Sequence, residues 1–288
     1  MRASILPVLT VSAGIVVLWY CGAVWLNWQV VWDMQARAGN APDVATMVSL
    51  TLSHARPLLP APHQVLVETW NSLTGPPITS PRSLVNHAMV TLSAALAGFG
   101  LGSLAGILLA VAIIHVRALE RSLMPWIIAS QAVPVLALAP IVIVALGALG
   151  MTGLMPKAII SAYLCFFPVA IGMVKGLAAP DALSRDLLRT YSATPAQVFW
   201  TLRVPTSLPY LFAGLKVAVA AAVVGAIVAE LPTGAQAGLG ARLLAGSYFG
   251  QTLQIWSALT VAAVVSATLV GVVGLAERLL ARRMGARA

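Results

Sequence analysis

The chain has 288 residues, of which 60% are hydrophobic and only 9% charged. A soluble globule carries about 25% charged residues, so composition excludes a water-soluble domain and indicates a chain that crosses a membrane several times. The net charge is +9, from 17 Lys and Arg against 8 Asp and Glu, and where those charges fall decides whether they read nucleic acid or set topology.

Six apolar runs reach the roughly 20 residues that a helix needs to span a bilayer: residues 5–26, 87–114, 123–147, 155–177, 209–231 and 253–276. The expected organisation is all-helical. Residues 1–26 form a first span, 27–86 an outer segment, 87–276 a transmembrane core with a polar loop at 178–208, and 277–288 a basic tail. With the N-terminus inside, the inner segments hold Arg2, Arg117, Arg121, Lys175, Arg185, Arg189, Arg203, Arg278, Arg282, Arg283 and Arg287, whereas the outer ones hold Arg37, Arg56, Arg82, Lys157 and Arg242. That bias follows the positive-inside rule. Both termini and the polar loop are expected in the cytoplasm, and the charge is topology, not a nucleic-acid footprint.

The first run is long for a signal-peptide core and lacks a small-x-small cleavage site, so it reads as an uncleaved signal anchor. Trp19, Tyr20, Trp25, Trp28 and Trp32 bunch at its end, as aromatic residues do at the outer membrane interface. In the outer segment, Leu59-Pro60-Ala61-Pro62 is stiff and extended, and a short surface helix is expected over His63 to Leu73. His54 and His63 have no ligand spacing. The two cysteines, Cys21 and Cys165, suggest neither a disulfide nor a metal site.

The second run carries Gly98, Gly102 and Gly106, a small-residue ladder that lets another helix approach closely. The third holds Pro125, Gln131, Pro134 and Pro140. Proline is tolerated in a membrane helix where neighbours satisfy the freed carbonyls. Gln131 either bonds a neighbouring helix or lines a pathway beside Pro134. Ser161, Tyr163 and Pro168 in the fourth run read as packing.

The polar stretch from Pro180 to Lys216 reads as two short helices joined at a corner. Leu183, Leu187 and Tyr191 share one face of the first; Arg185 and Arg189 form a separate cationic stripe, with Asp181 placed to pair with Arg185. The corner is Ser192-Ala193-Thr194-Pro195. Thr194 is an N-cap, Pro195 suits the first helical position and Gln197 completes a capping box. Val198, Phe199 and Leu202 belong to the second helix, which Pro205 and Pro209 are expected to end. The fifth run has Lys216 near its inner end and Glu230 at its outer end, both able to snorkel to an interface. Glu230, before the Leu231–Gly240 loop, is either a pore-mouth acid or a helix-end residue without a role.

The elbow resembles the cytoplasmic signature of the permease subunits of ABC importers, Glu-Ala-Ala, three residues, Gly, and after a spacer hydrophobic-x-Leu-Pro. Asp186-Leu187-Leu188, Arg189-Thr190-Tyr191 and Ser192 sit in that register, and Ser207-Leu208-Pro209 reads as its close. Asp replaces Glu, and Ser192 stands where the family has Gly. Thr91-Leu92, Gly98-Phe99 and the Pro125, Gln131, Pro134, Ala137, Pro140 pattern are similar to the nitrate/sulfonate/taurine branch, which also includes carriers of pyrimidine-type compounds. The resemblance implies a type I importer permease in the inner membrane. A second, often identical copy completes the pathway, a cytoplasmic ATPase dimer grips the elbows through Asp186, Leu187, Leu188, Tyr191, Ser192, Ala193 and Pro209, and an extracytoplasmic binding protein delivers a small solute. The permease itself is then no enzyme and needs no cofactor or metal, and the sequence has no Gly-x-x-x-x-Gly-Lys-Ser/Thr loop or His-Glu-x-x-His. The alternative is a stand-alone secondary transporter, which calls for intramembrane charges or an inverted repeat; neither is visible in the sequence.

Overall fold

A computed structural model describes residues 2–232 and 237–284 of the chain, and its regular structure is entirely helical over them. The helices are α1 (Arg2–Arg37), α2 (Val44–Leu52), α3 (Pro62–Thr74), α4 (Leu84–His115), α5 (Arg117–Ser130), α6 (Val135–Ala148), α7 (Leu154–Ala178), α8 (Ala182–Thr190), α9 (Pro195–Val198), α10 (Val204–Glu230), α11 (Leu239–Tyr248) and α12 (Thr252–Arg283). Part of the expected Gly-rich loop, at residues 233–236, and the end of the basic tail, with Arg287, lie outside the described residues.

The residues group into two compact units. One comprises Met1–His87 and Ala241–Val261. Here α1 continues to Arg37, past the end of the apolar run, so the tryptophan cluster lies within the helix. Leu9, Val11 and Leu18 are more than half exposed, as apolar side chains are when the solvent is lipid. Asn27 is 1% exposed and explains how the proline-rich segment is held. Its Nδ2 donates to the Leu59 carbonyl at 2.8 Å and its Oδ1 accepts from the Leu58 amide at 2.7 Å. Trp19 Nε1 donates to the Pro60 carbonyl at 3.0 Å. A buried amide satisfied on both sides fixes an otherwise irregular segment. The surface helix appears as α3, and the Gln64 side chain accepts from the Ala61 amide at its start.

The other unit comprises Ala88–Gly240 and Ala262–Ala288. Its core is built from small residues of α4, α7 and α10, among them Ala95, Cys165, Val169, Ala218, Ala222 and Ala226. α7 is gripped on two sides. A Cβ added at Gly102 or Gly106 of α4 would stand 2.6 and 2.8 Å from the carbonyls of Ala162 and Phe166, and one at Gly98 would stand 2.7 Å from that of Ala158. On the α10 side, a Cβ at Gly214 would lie 2.7 Å from the Pro168 carbonyl. Those distances leave no room for any side chain, so the backbones themselves are in contact.

Two expected spans are corrected. The run at 123–147 is not one straight helix: α5 and α6 meet at an angle of 101°. Each has 14 residues, about 21 Å, too short to cross a hydrocarbon core of about 30 Å alone. Pro134, at the N-cap of α6, fits the break, because it has no N–H and disfavours helical geometry at the residue before it. The fifth span is longer than its apolar run. α9 continues through a π turn, Phe199–Arg203, into α10, giving one helix from Pro195 to Glu230. Pro205 does not end it. The missing Pro205 N–H is absorbed where the winding widens, with the Val204 amide reaching the Phe199 carbonyl. Hydroxyls of Thr201, Thr206 and Ser207 donate to the carbonyls of Gln197, Leu202 and Val204 along the same stretch.

Candidate functional site

The elbow is built by local chemistry. Asp181 caps α8 by accepting from the Ser184 amide at 3.0 Å, and hydrogen bonding by the Ser184 side chain, then by its amide, holds its carboxyl below the usual carboxylate range. The expected Asp181–Arg185 ion pair therefore gives way to a cap. Arg185 Nε donates to the Asp181 backbone carbonyl, and the ion pair of α8 is Arg189–Asp186 at 3.1 Å. Its side chains are 81% and 62% exposed, so it contributes only about 0–1 kcal/mol.

At the corner, the Ser192 amide donates to the Arg189 carbonyl at 2.9 Å and the Ala193 amide to that of Leu188 at 3.0 Å. This is a Schellman ending, whose turn residue must be left-handed. Ser192 has φ 55°, and it is the one non-glycine with positive φ among the described residues. Serine thus adopts the backbone that a glycine would take without cost. Thr194 and Gln197 form the capping box, through Thr194 N–H to Gln197 Oε1 at 2.7 Å and Gln197 N–H to Thr194 Oγ1 at 3.4 Å.

No residue of α8 is buried. Leu183, Leu187 and Tyr191 are 79%, 57% and 76% exposed, whereas Leu188 and Ala193 are half-buried. The base of the elbow is firmly held: Phe199 and Val204 pack on Ala110, Met173 and Leu177, and Phe199 lies 5.0 Å from the His115 ring. Pro209 does not end the second helix of the elbow. It lies inside α10, where with Pro205 and Phe212 it faces Glu277 and Leu280 of α12. Leu202-Arg203-Val204-Pro205, at the π turn, stands at the junction between elbow and span.

Gln131 and Pro134 are both exposed and occupy the α5–α6 break. The carbonyl of Ser130, at the end of α5, accepts from Tyr163 Oη of α7. Tyr163, expected only to pack, thus ties α7 to the α5–α6 break.

At the far end of α10, Glu230 is 0% exposed, which corrects its reading as a snorkelling or pore-mouth acid. Its Oε1 and Oε2 accept from Thr91 Oγ1 at 2.9 and 3.0 Å, and Oε2 accepts from the Gly240 amide at 2.8 Å. Lys157 Nζ stands 4.0 Å from Oε1 and is itself buried, not part of an open outer loop. Thr91 Oγ1 accepts from the Leu239 amide at 2.8 Å. The carboxylate thus joins α4, α7, α10 and the start of α11. Lys216 likewise does not snorkel freely but pairs with Glu277.

Long apolar helices, a third span broken between α5 and α6 and an exposed polar elbow define a multi-pass membrane protein. Residues 102–286 match the family of binding-protein-dependent transport system inner membrane components. The chain is 36% identical over 228 residues to the riboflavin transport system permease of Chloroflexus aurantiacus, covering 78% of this chain and 80% of that one. It is 32% identical over 211 residues to the formylaminopyrimidine transport permease of Halalkalibacterium halodurans, covering 73% and 74%. It is 24% identical over 180 residues to the nitrate import permease of Synechocystis sp., covering 61% and 64%. The chain belongs to the binding-protein-dependent inner-membrane component family, the permease subunits of ABC transporters.

Proposed function

We propose that two copies of this chain form the translocation pathway of an ATP-driven importer for a small pyrimidine-like solute delivered by a binding protein. Both termini and the elbow face the cytoplasm, where an ATPase dimer docks and supplies the energy. The observation that carries this reading is the elbow itself. Leu183, Leu187 and Tyr191 form an exposed apolar stripe on a helix with no buried residue, and such a stripe fits a partner's groove. Asp186 stands beside it, Ser192 and Ala193 set the corner, and the half-buried Leu188 seats the helix. Movement of the elbow passes directly into α10, because α9, the π turn and α10 are one helix. The solute class is supported by relatives at 36% and 32% identity whose names refer to riboflavin and formylaminopyrimidine, against 24% for nitrate.

Reporter fusions after residues 45, 120, 190 and 285 are expected to read outside, inside, inside and inside; an outward reading at 190 removes the elbow from any cytoplasmic ATPase and overturns the proposal. When the permease is reconstituted with its ATPase and binding protein in liposomes, the ATPase should hydrolyse ATP faster with formylaminopyrimidine than with nitrate. Gln131 and Pro134 are proposed to line the pathway at the α5–α6 break. Gln131→Leu is expected to reduce uptake without reducing assembled complex; loss of assembly instead makes Gln131 a packing residue.

A further inference from the structure

The side of α8 turned away from the apolar stripe borders a cavity of about 360 Å3 between the elbow and the end of α4. Arg185 and Arg189 line it from α8, Arg203 from the π turn and His115 from the last residue of α4, with Phe199 and Val198 as its apolar wall. Arg185 lies two residues from both Leu183 and Leu187, about 200° around the helix, which places the cations opposite the proposed docking face. Their donors are largely unspent. Arg185 makes one hydrogen bond, to the Asp181 carbonyl at 3.3 Å, and Arg203 makes one, to the Leu177 carbonyl at 3.5 Å. Arg189 bonds Asp186 through a single Nη1 contact, although each guanidinium has five N–H donors. Among the described residues, no carboxylate lines the cavity. Three guanidiniums lining one space give it a positive potential that favours an anion, and the planar fork matches a phosphate with two parallel bonds.

We propose that this cavity is an anion site that takes a phosphate-bearing group, bracing α8 against the π turn and α4. The group is either the headgroup of an acidic phospholipid or a soluble phosphate ester, since both present the same oxygens. Occupation would link three elements at the base of the elbow and so hold the angle at which α8 leaves the spans.

The test uses the full-length permease alone, so its failure is distinct from failure of the importer reading. In one arm the protein is placed in nanodiscs of phosphatidylcholine with phosphatidylglycerol, and retained lipid is counted by native mass spectrometry. In the other, inorganic pyrophosphate is titrated in phosphatidylcholine nanodiscs while thermal unfolding is followed. Retention of phosphatidylglycerol identifies a lipid headgroup; stabilisation by pyrophosphate alone identifies a soluble ester. The double variant Arg185→Gln/Arg203→Gln should weaken whichever probe binds by about tenfold or more, while Arg282→Gln on α12 should not. Arg185→Gln alone alters an exposed side chain and serves if the double variant does not fold, with a smaller loss expected. Arg185→Lys should restore part of the binding, because it keeps charge and loses the fork. Binding of neither probe, or equal binding by parent and variants, overturns the proposal.

Discussion

The two ends of the α9–α10 helix handle charge in opposite ways. At the Glu230 end, a carboxylate with no exposure is held by Thr91, by the Gly240 amide and by Lys157. At the elbow end, Asp186 and Arg189 form a pair in the open, and the apolar stripe of Leu183, Leu187 and Tyr191 covers nothing within the chain. The buried knot is satisfied internally and therefore fixes structure. The elbow leaves its apolar surface uncovered, as expected of a surface kept for a partner. One end of the α9–α10 helix thus carries a rigid anchor, and the other leads through the Ser192 corner into the open contact on α8.

The sharpest way to break this comparison is at the knot. Glu230→Ala strands the buried Lys157 and frees the Gly240 amide, and it should cost about 3–5 kcal/mol, read as a lower unfolding temperature of purified permease. Glu230→Gln, which keeps acceptor capacity for Thr91 or Gly240, should cost less. Unchanged unfolding in Glu230→Ala would mean that the knot anchors nothing.

Leu187→Asp should act in the opposite manner. It removes an apolar contact of about 1.5–3 kcal/mol from the proposed ATPase interface and should release the ATPase on co-purification, with the permease's unfolding temperature unmoved. Asp186→Lys should likewise release the ATPase or uncouple hydrolysis from transport, whereas Asp186→Asn should be milder. Normal association and coupling in both Leu187→Asp and Asp186→Lys would leave the elbow as a surface loop.

Gly102→Val tests the packing between the two ends. Its side chain must displace the α7 backbone, and overpacking of this kind costs about 1–3 kcal/mol. The fall should appear in the unfolding temperature; an unchanged value would mean that α4 and α7 separate without penalty. The smallest effect is expected at the corner. Ser192→Gly relieves a left-handed conformation worth about 1–2 kcal/mol to a residue with a side chain, offset in part by the greater freedom of glycine when unfolded. Slower hydrogen exchange in α8 is the expected sign, and faster exchange would show that the serine side chain supports the turn.

Much of this protein was legible in its sequence because the signals are local. Apolar runs of sufficient length gave the membrane class, and Thr194, Pro195 and Gln197 gave the start of α9, since a capping box lies within four residues. The Ser192 corner could be placed from the family signature, and the glycine ladder marked a face open to close approach. Tertiary structure decided what depends on distant partners. Glu230 looked like a helix-end acid until Thr91, 139 residues away, and Lys157 surrounded it. Asp181 became a cap and Asp186 the ion-paired acid because a carboxylate at a helix start finds backbone N–H groups closer than the next arginine. The 101° break at Pro134 and the unbroken passage through Pro205 show the same limit. Proline removes one N–H in both places, and only the surrounding groups determine whether the helix bends there or takes up one extra residue in a π turn and continues.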